Sequence, residues 1–210
     1  MLRYLYADEL WQYPKLRETM FLDRADQFKT RLKWDVTVDE RGWECDEYDA
    51  INPLYVIWET PDGCHGGSMR FLPTTGPTMV NDHFSHLIGG GAVRSPAIWE
   101  CTRFCLTRSA DSRAAAALML AGGELMRAFS LQHFVGVFDA RMIRIYRMIG
   151  SSPEVLGSSG DGRETISIGL WDYSPIARAR VLARAGLSSA ISEHWMTRSF
   201  GTQTRIAMTA

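Results

Sequence analysis

Lysine is scarce in this chain of 210 residues, occurring only at Lys15, Lys29 and Lys33 among 23 lysines and arginines. Nearly all the positive charge is therefore carried by arginine, whose planar guanidinium binds carboxylates and phosphates bidentately. The formal net charge is −1. Because the composition predicts no basic field and the chain has no polybasic segment, we expect neither a nucleic-acid partner nor a membrane partner.

Cysteine spacing and the lack of long apolar runs exclude further classes of protein. The cysteines match neither a zinc motif nor a disulfide framework; they are Cys45, Cys64, Cys101 and Cys105. Three nearby histidines, His65, His83 and His86, also lack a ligand pattern, so no metal is expected. The first residues are too few and too acidic for a signal peptide, and no apolar run could span a membrane. We expect a reduced, cytoplasmic protein.

The chain is long enough for one domain with its own core, which we place at 1–195, followed by a mobile tail at 196–210. Hydrophobic periodicity and turn residues predict the order of elements. They are a helix at 8–33 interrupted at Pro14, a hairpin of strands at 54–60 and 65–72, a short helix ending near Leu87, a strand at 97–107, a helix at 112–131, a strand at 133–138, a helix at 140–149, a strand at 164–171 and a helix at 175–194. This order predicts an α/β protein, more narrowly an α+β mixed sheet covered by helices.

Charged and aromatic residues recur at defined spacings in the first half of the chain. They are Arg24, Phe28, Trp34, Asp46, Asp49, Arg70, Phe84, Glu100 and Arg103. In this order they resemble the acyl-homoserine-lactone (autoinducer) synthases of the LuxI type. The resemblance covers about residues 1–185. The segments that carry it are MFLDRADQFKTRLKW (20–34), ECDEYD (44–49), GSMRFLPTTGPTMVNDHF (67–84) and WECTRF (99–104).

The resemblance implies a fold, a reaction and a set of partners. The fold would be an acetyltransferase-like (GNAT-like) three-layer sandwich with a helical N-terminal lid around Trp34. The reaction would join S-adenosylmethionine to the acyl group of an acyl thioester and release a diffusible quorum-sensing signal. Acyl-carrier protein and acyl-coenzyme A both remain possible donors. Both reactants are substrates, so no cofactor is expected.

The first chemical step needs a base, because an α-amino group titrates near pH ~8 and is mostly protonated at cytoplasmic pH. The family motif makes Glu100 the candidate, and the alternative is that Glu100 only pairs with Arg103. Side chains alternate along a regular strand, so residues 100 and 103 would point to opposite faces. If both serve one site, the strand needs a bulge near 100–104.

The resemblance also assigns the remaining polar and aromatic residues. The catalytic set would be Glu100, Asp46, Arg70 and Arg103. The S-adenosylmethionine site would comprise Arg24, Phe28, Trp34, Asp46, Asp49, Phe84 and Arg103. The aromatic rings would face the sulfonium through cation–π contacts. The alternatives are a purely structural ion-pair cluster for Asp49 and Arg70, and core packing for the aromatic residues.

An apolar pocket for the acyl chain is expected in the second half. Its residues would be Thr102, Phe104, Gly136, Phe138, Met142 and Tyr146. Family members that accept 3-oxo chains tend to carry threonine at the position aligned with Gly136, which favours an unsubstituted chain here. The bulk of Phe138 and Tyr146 favours a short tunnel for a short or branched acyl group. Ordinary core packing is the alternative for each residue.

Two rival functions are weighed against the synthase. An ordinary GNAT-type acetyltransferase cradles the coenzyme A pyrophosphate in a glycine-rich turn, and this chain has no glycine between Leu106 and Ala117. A binding module without activity would lack Glu100 or the arginines. A basic stripe could dock the acidic carrier protein, although a solvated helix face explains it equally well. The stripe consists of Arg141, Arg144 and Arg147.

Overall fold

A mixed sheet of seven strands is the centre of the computed structural model, which describes residues 1–110 and 112–201. Its strand order is β1-β2-β3-β4-β5-β7-β6. The strands are β1 (Leu2–Tyr6), β2 (Leu54–Glu59), β3 (His65–Pro73), β4 (Ile98–Leu106), β5 (His133–Asp139), β6 (Glu154–Ser159) and β7 (Ile166–Asp172). The helices are α1 (Pro14–Arg24), α2 (Met79–Asp82), α3 (Ser112–Ala128), α4 (Ala140–Ile149), α5 (Pro175–Ala185) and α6 (Ser189–Phe200). Short 3₁₀ turns lie at Ala7–Gln12, Glu47–Ile51, Ser85–Ile88 and Gly162–Glu164.

The side chains of β2 point alternately to the two faces of the sheet, and each face packs against a layer of helices. Leu54 and Val56 pack into the core under α3, whereas Tyr55 and Ile57 pack into a second core under α1. Because successive side chains of a strand point to opposite faces, one strand serves both cores. Helices therefore cover both faces of the sheet, which confirms the expected three-layer α/β architecture.

The expected hairpin and most of the expected strands and helices are confirmed, but two strands were missed. β1 pairs antiparallel with β2, and β6 pairs antiparallel with β7 at the far edge of the sheet. β1 begins the chain, where the sequence was read only for a signal peptide. β6 lies between the helix predicted at 140–149 and the strand predicted at 164–171, where the sequence analysis predicts no strand. Both strands depend on a partner strand elsewhere in the chain, which local sequence patterns do not reveal.

The expected single helix at 175–194 is wrong, because the chain divides there into α5 and α6. Gly186 adopts φ 63°, a left-handed conformation that ends α5 and that glycine adopts at little cost. α6 then continues to Phe200, through residues 196–200 that the sequence analysis assigned to the tail. Residues 202–210 of that tail lie outside the described residues.

The expected helix at 8–33 is also divided. A 3₁₀ turn comes first, α1 begins at Pro14, and the helix widens into a π-helix over Ala25–Arg31. Proline suits the first helical position because its missing N–H has no helical partner there. π-helical turns are rare and are frequent at functional sites. Here the π-helix carries Phe28, one of the expected ligand-binding aromatics.

A buried polar cluster ties α1 to β3. His65 begins β3 and is almost fully buried. Its Nδ1 lies 2.7 Å from Asp23 Oδ2 and its Nε2 lies 2.9 Å from Ser68 Oγ. Burial lowers the pKa of His65 against the opposing effect of Asp23. None of these three residues reaches the large cavity described below, so the cluster is a structural link.

Residues 1–110 and 112–201 show neither a membrane-spanning helix nor a metal-binding cluster of side chains. No helix there is long and apolar enough to cross a membrane. No group of three or more His, Cys, Asp and Glu side chains in that part of the chain is arranged to hold a metal ion.

Candidate active site

A bulge in β4 brings the site together. Ser68 pairs with Cys105 and Arg70 pairs with Thr102, so two residues of β4, Arg103 and Phe104, lie opposite one residue of β3. Arg103 lies within the bulge and has φ 53°, a left-handed conformation that costs on the order of 1–3 kcal/mol outside glycine. The expected bulge near 100–104 is therefore confirmed. The extra residue lets consecutive side chains reach one cluster: Thr102 Oγ1 accepts from Arg70 Nε at 3.0 Å, and Arg103 binds Asp46.

Three arginines and three carboxylates form one cluster, which we call the arginine–carboxylate cluster. Its members are Arg24, Arg70, Arg103, Glu44, Asp46 and Asp49. The numbers of positive and negative groups are equal, so the cluster is neutral when all six are ionised. Buried charges are tolerated when each is paired and hydrogen-bonded in this way.

Bidentate contacts organise the cluster. Arg24 donates to Asp49 at 2.9 and 2.8 Å, and to Glu44 at 2.6 Å. Arg70 donates to both oxygens of Asp46 at 2.5 and 2.8 Å, and to Asp49 at 2.8 Å. The pKa of the Asp49 carboxyl lies well below its usual range, since the lowering by Arg24 and Arg70 exceeds the opposing effect of burial. Asp49 is therefore ionised throughout the neutral range.

A large cavity of about 890 Å³ lies beside this cluster. Most of the expected site residues contribute to its wall. They are Phe28, Trp34, Asp46, Phe84, Thr102, Arg103, Phe104, Gly136, Phe138, Met142 and Tyr146. The volume is within the range of small-molecule sites.

Four expected site residues lie behind the cavity wall and not in it. They are Arg24, Asp49, Arg70 and Glu100. Direct contact of these residues with a ligand stays a prediction; in this structure they support the residues that line the cavity. Within the cluster, hydrogen bonds join Arg24 to Glu44 and Asp49, and Arg70 to Asp46 and Asp49. These contacts hold Asp46 and Arg103 in position. The ion pairs of Asp49 and Arg70 are the contacts that the alternative of a structural ion-pair cluster requires.

Arg103 is the member of the cluster that meets both the cavity and its aromatic wall. Its Nη2 lies 2.8 Å from Glu44 and 2.7 Å from Asp46, while Nη1 makes only a 3.9 Å contact with Met79 Sδ. The rings of Phe28 and Trp34 stack 5.2 Å apart at 13°, and the Arg103 guanidinium lies 5.4 Å from the Phe28 centroid. Among the residues that the structure describes, no carboxylate binds this Nη1, which thus stands next to a stacked aromatic pair.

Glu100 is fully buried and faces the first turn of α2. Its oxygens accept the backbone N–H groups of Met79 at 3.0 Å and Val80 at 2.5 Å. Burial raises the pKa of Glu100 to about 7, although these two hydrogen bonds oppose the change. Arg103 pairs with Glu44 and Asp46 instead, so the alternative of a simple Glu100–Arg103 ion pair is wrong.

Two residues that matter here were missed by the sequence analysis. Glu44 is fully buried and binds both Arg24 and Arg103, although it opens the segment ECDEYD already singled out. Gln27 donates to the carbonyl of Phe104 at 2.8 Å and accepts from the amide of Leu106 at 3.0 Å. Gln27 therefore fastens the π-helix to the open side of β4, and no local pattern indicates that role.

The other end of the cavity is apolar and lies beyond the point where β4 and β5 stop pairing. These strands pair in parallel only from Ile98 to Glu100. Further along, Phe138, Tyr146 and Trp171 pack edge to face, with ring centroids 5.1 to 5.8 Å apart. Trp171 was not anticipated, because β7 approaches β5 only in the folded sheet.

Gly136 lines the cavity where β5 passes close to the backbone of β4. A Cβ at this position would lie 2.8 Å from the Cys101 carbonyl oxygen and 3.4 Å from the Trp171 ring. The first contact is with backbone and cannot be relieved by a rotamer change. Glycine is thus explained here by close approach of the strands.

Gly136→Ala should therefore destabilise the protein by about 1–3 kcal/mol, as overpacking does. It should also lower activity with acyl donors of every length, because relief of the clash with the Cys101 carbonyl would displace the backbone of β4 or β5. Thermal unfolding and steady-state rates across a chain-length series measure the two effects. An unchanged melting temperature with altered preference for a single chain length would contradict the steric explanation.

Comparison with known proteins agrees with this geometry. A family model for autoinducer synthases matches residues 9–184. An acyl-homoserine-lactone synthase of Rhizobium etli is 40% identical over 200 residues, covering 92% of this chain and 93% of that protein. The structure of MesI, a CoA-dependent acyl-homoserine lactone synthase, superposes with a TM-score of 0.79 at 25% identity, covering 91% of this chain and 98% of that one.

A protein of Lactobacillus plantarum described as an N-acetyltransferase superposes with a TM-score of 0.55 at 12% identity, covering 82% of this chain and 99% of its own. At that identity the likeness shows only the shared fold, which confirms the acetyltransferase-like architecture. The family match and the Rhizobium etli relative extend over most of the chain. The chain therefore belongs to the autoinducer synthase family of acyl-homoserine-lactone synthases.

Proposed function

We propose that this protein acylates the α-amine of S-adenosylmethionine from an acyl thioester and then closes the lactone. The products are an N-acyl-homoserine lactone, which is a quorum-sensing signal, methylthioadenosine and the free thiol of the carrier. The observation that carries the proposal is one continuous cavity with two different ends. Charged and aromatic residues line one end, at Asp46, Arg103, Phe28 and Trp34, and apolar residues line the other.

The polar end suits the groups of S-adenosylmethionine. Nη1 of Arg103 can donate to the substrate carboxylate, because its other terminal nitrogen already serves Glu44 and Asp46. The stacked rings of Phe28 and Trp34 offer π surface to a sulfonium or an adenine. Trp34 is partly exposed and follows the π-helix, so we assign this segment as the lid over the substrate.

Acyl transfer needs a neutral amine, and we assign Glu100 as the base that accepts the proton of the substrate ammonium group. A carboxyl with a pKa of about 7 can accept a proton at neutral pH. Because Glu100 lies behind the cavity wall, the transfer would run through one bridging water. The amine nitrogen then bonds to the thioester carbon, the carbon–sulfur bond breaks, and the thiolate of the carrier takes up a proton.

Lactone closure needs no further catalyst group. An oxygen of the substrate carboxylate attacks the carbon next to the sulfonium, and that carbon–sulfur bond breaks with its electron pair going to sulfur. Methylthioadenosine is a good leaving group, so positioning of the carboxylate supplies the main acceleration.

The carrier of the acyl group is anionic in either of its forms. Arg141, Arg144 and Arg147 are exposed along α4, although Arg141 also binds Asp139 at 2.6 Å. This stripe can attract an acidic carrier protein or the phosphates of coenzyme A. MesI is described as CoA-dependent, which supports an acyl-coenzyme A donor for this chain.

A mass-spectrometric assay tests the function. Purified protein is incubated with S-adenosylmethionine and a matched set of acyl groups, each on carrier protein and on coenzyme A. We expect equal amounts of methylthioadenosine and N-acyl-homoserine lactone. Acylation of another amine without methylthioadenosine would contradict the proposal and favour a GNAT-type acyltransferase.

A further inference from the structure

One face of α3 forms the far wall of the apolar end of the cavity. The residues are Met119, Gly122, Gly123 and Met126, whose spacing puts them on a single side of the helix. The two central positions of this face are both glycine. The wall is therefore formed there by helix backbone, with side chains only above and below it.

Glycine is unexpected at these two positions. In the middle of a helix it is about 1 kcal/mol less favourable than alanine. α3 is otherwise rich in alanine, leucine and methionine, which are good helix formers. Neither glycine has a positive φ, so backbone conformation does not require them.

Close packing does not require them either. A Cβ at Gly123 would meet nothing within 4 Å. A Cβ at Gly122 would lie 3.6 Å from the Phe134 ring and 3.9 Å from the Met69 methyl, which are ordinary contacts. Gly136 differs sharply from this pair, since its Cβ would strike backbone at 2.8 Å. The space beside Gly123 is thus left empty by the protein.

The cavity is not lined only by Phe138 and Tyr146, whose bulk favoured a short acyl tunnel in the sequence analysis. Ala177, Arg178 and Val181 of α5 also line the cavity. The guanidinium of Arg178 is held by Glu124 at 2.9 Å. The cavity therefore extends to α5 as well as to Phe138 and Tyr146.

We propose that the Gly122–Gly123 pair sets acyl-chain selection and adapts this enzyme to a linear acyl chain of about eight carbons or more. The inference rests on the proposed function. Met119 and Met126 are seven helical steps apart, which is roughly 10 Å at about 1.5 Å per step. An extended chain with C–C bonds of about 1.5 Å advances roughly 1.2 Å per carbon, so a chain bound along this face, as we propose, would cover it with about eight carbons. The expectation of a short or branched chain is replaced by this proposal.

Gly123→Leu tests the proposal, because leucine is a good helix former and its side chain would occupy the empty space. The measurement is kcat/KM for coenzyme A thioesters with 4, 6, 8, 10 and 12 carbons. The wild type should prefer the longer donors. In the variant, activity should fall on the order of tenfold or more for each methylene that no longer fits. The KM for S-adenosylmethionine should stay constant.

Gly91→Leu is the matched control, since Gly91 is exposed, lies outside the cavity and has no positive φ. It should leave the chain-length profile unchanged. Gly123→Met, with a more flexible side chain, replaces the leucine variant if that variant does not fold. Equal loss with all donors in Gly123→Leu, or a wild type that prefers four carbons to ten, would overturn the proposal.

Calorimetric binding of the same thioesters separates this proposal from the proposed function. Tighter binding of the longer thioesters by the wild type, lost in Gly123→Leu, supports the chain-length proposal even if no lactone is formed. Lactone formation with identical binding of all chain lengths supports the function and overturns the chain-length proposal.

Discussion

Arg70→Ala should lower the free energy of unfolding by about 3–5 kcal/mol, the cost of removing one partner from a buried ion pair. Arg70 is fully buried, and its guanidinium donates to both oxygens of Asp46 and to Asp49. Without it, two carboxylates in a nearly dry environment lose a major cation. Domains are commonly stable by only about 5–15 kcal/mol, so the loss is a large fraction of the total. Urea unfolding followed by tryptophan fluorescence measures it.

Arg108→Ala is the matched control for this experiment. Arg108 also pairs with an aspartate, Asp26, but its side chain is 65% exposed. Exposed ion pairs contribute little because water and salt screen them, so the control should unfold close to the wild type. Nearly equal stability of the two variants would contradict the view that the cluster is a buried framework. Arg70→Ala should also abolish lactone formation, because Asp46 would no longer hold Arg103.

Glu100→Gln should lower kcat by about 10²–10⁴-fold, the usual contribution of a positioned base. The pKa of Glu100 is raised to about 7, so the wild-type rate should rise with pH through that value as the carboxylate forms. The variant should lose this rise while the Kd for S-adenosylmethionine stays nearly the same. A variant with wild-type turnover would exclude Glu100 as the base.

The same pKa has a consequence for stability. A carboxyl whose pKa is higher in the folded than in the unfolded state binds its proton more tightly when folded. The stabilisation is fully present below about pH 4.5 and is lost as pH rises toward 7. A rise from 4.5 to about 7 corresponds to roughly 3 kcal/mol. Wild type should lose this stability between those pH values, and Glu100→Gln should not show the same slope.

Glu100→Asp distinguishes a base from a residue that only holds α2. Aspartate keeps the charge but shortens the reach to the backbone of Met79 and Val80. If Glu100 only anchors α2, Asp and Gln should both weaken S-adenosylmethionine binding and leave the pH profile of kcat unchanged. If it is the base, Asp should retain part of the pH-dependent rate and Gln should not.

The bulge in β4 shows what sequence reasoning can reach. Alternation along a strand puts residues 100 and 103 on opposite faces, and a shared role for them is possible only with one extra residue. The prediction followed from geometry that is local to the strand. The structure confirms it through the shift in register and the positive φ of Arg103.

The sequence could not show in the same way which charged residues line the cavity and which lie buried behind it. Arg24 and Arg103 both bind Glu44, from positions 20 and 59 residues away. Such pairings depend on how α1, β4 and the segment before Glu47–Ile51 meet. A motif identifies the charged residues, but their spacing in sequence does not show which of them form ion pairs with one another and which face the cavity.

The chain by itself determined its class, the order of most helices and strands, and the kind of chemistry its charged and aromatic residues support. Those properties follow from periodicity and turn residues over short stretches, and from the family motif. Only the tertiary structure decided the pairing of β1 with β2 and of β6 with β7, and the division of the last helix at Gly186. It also decided the burial of Arg24, Arg70 and Glu100, and the empty space beside Gly123. The physical reason is that burial, ion pairing and free volume depend on residues far apart in the chain.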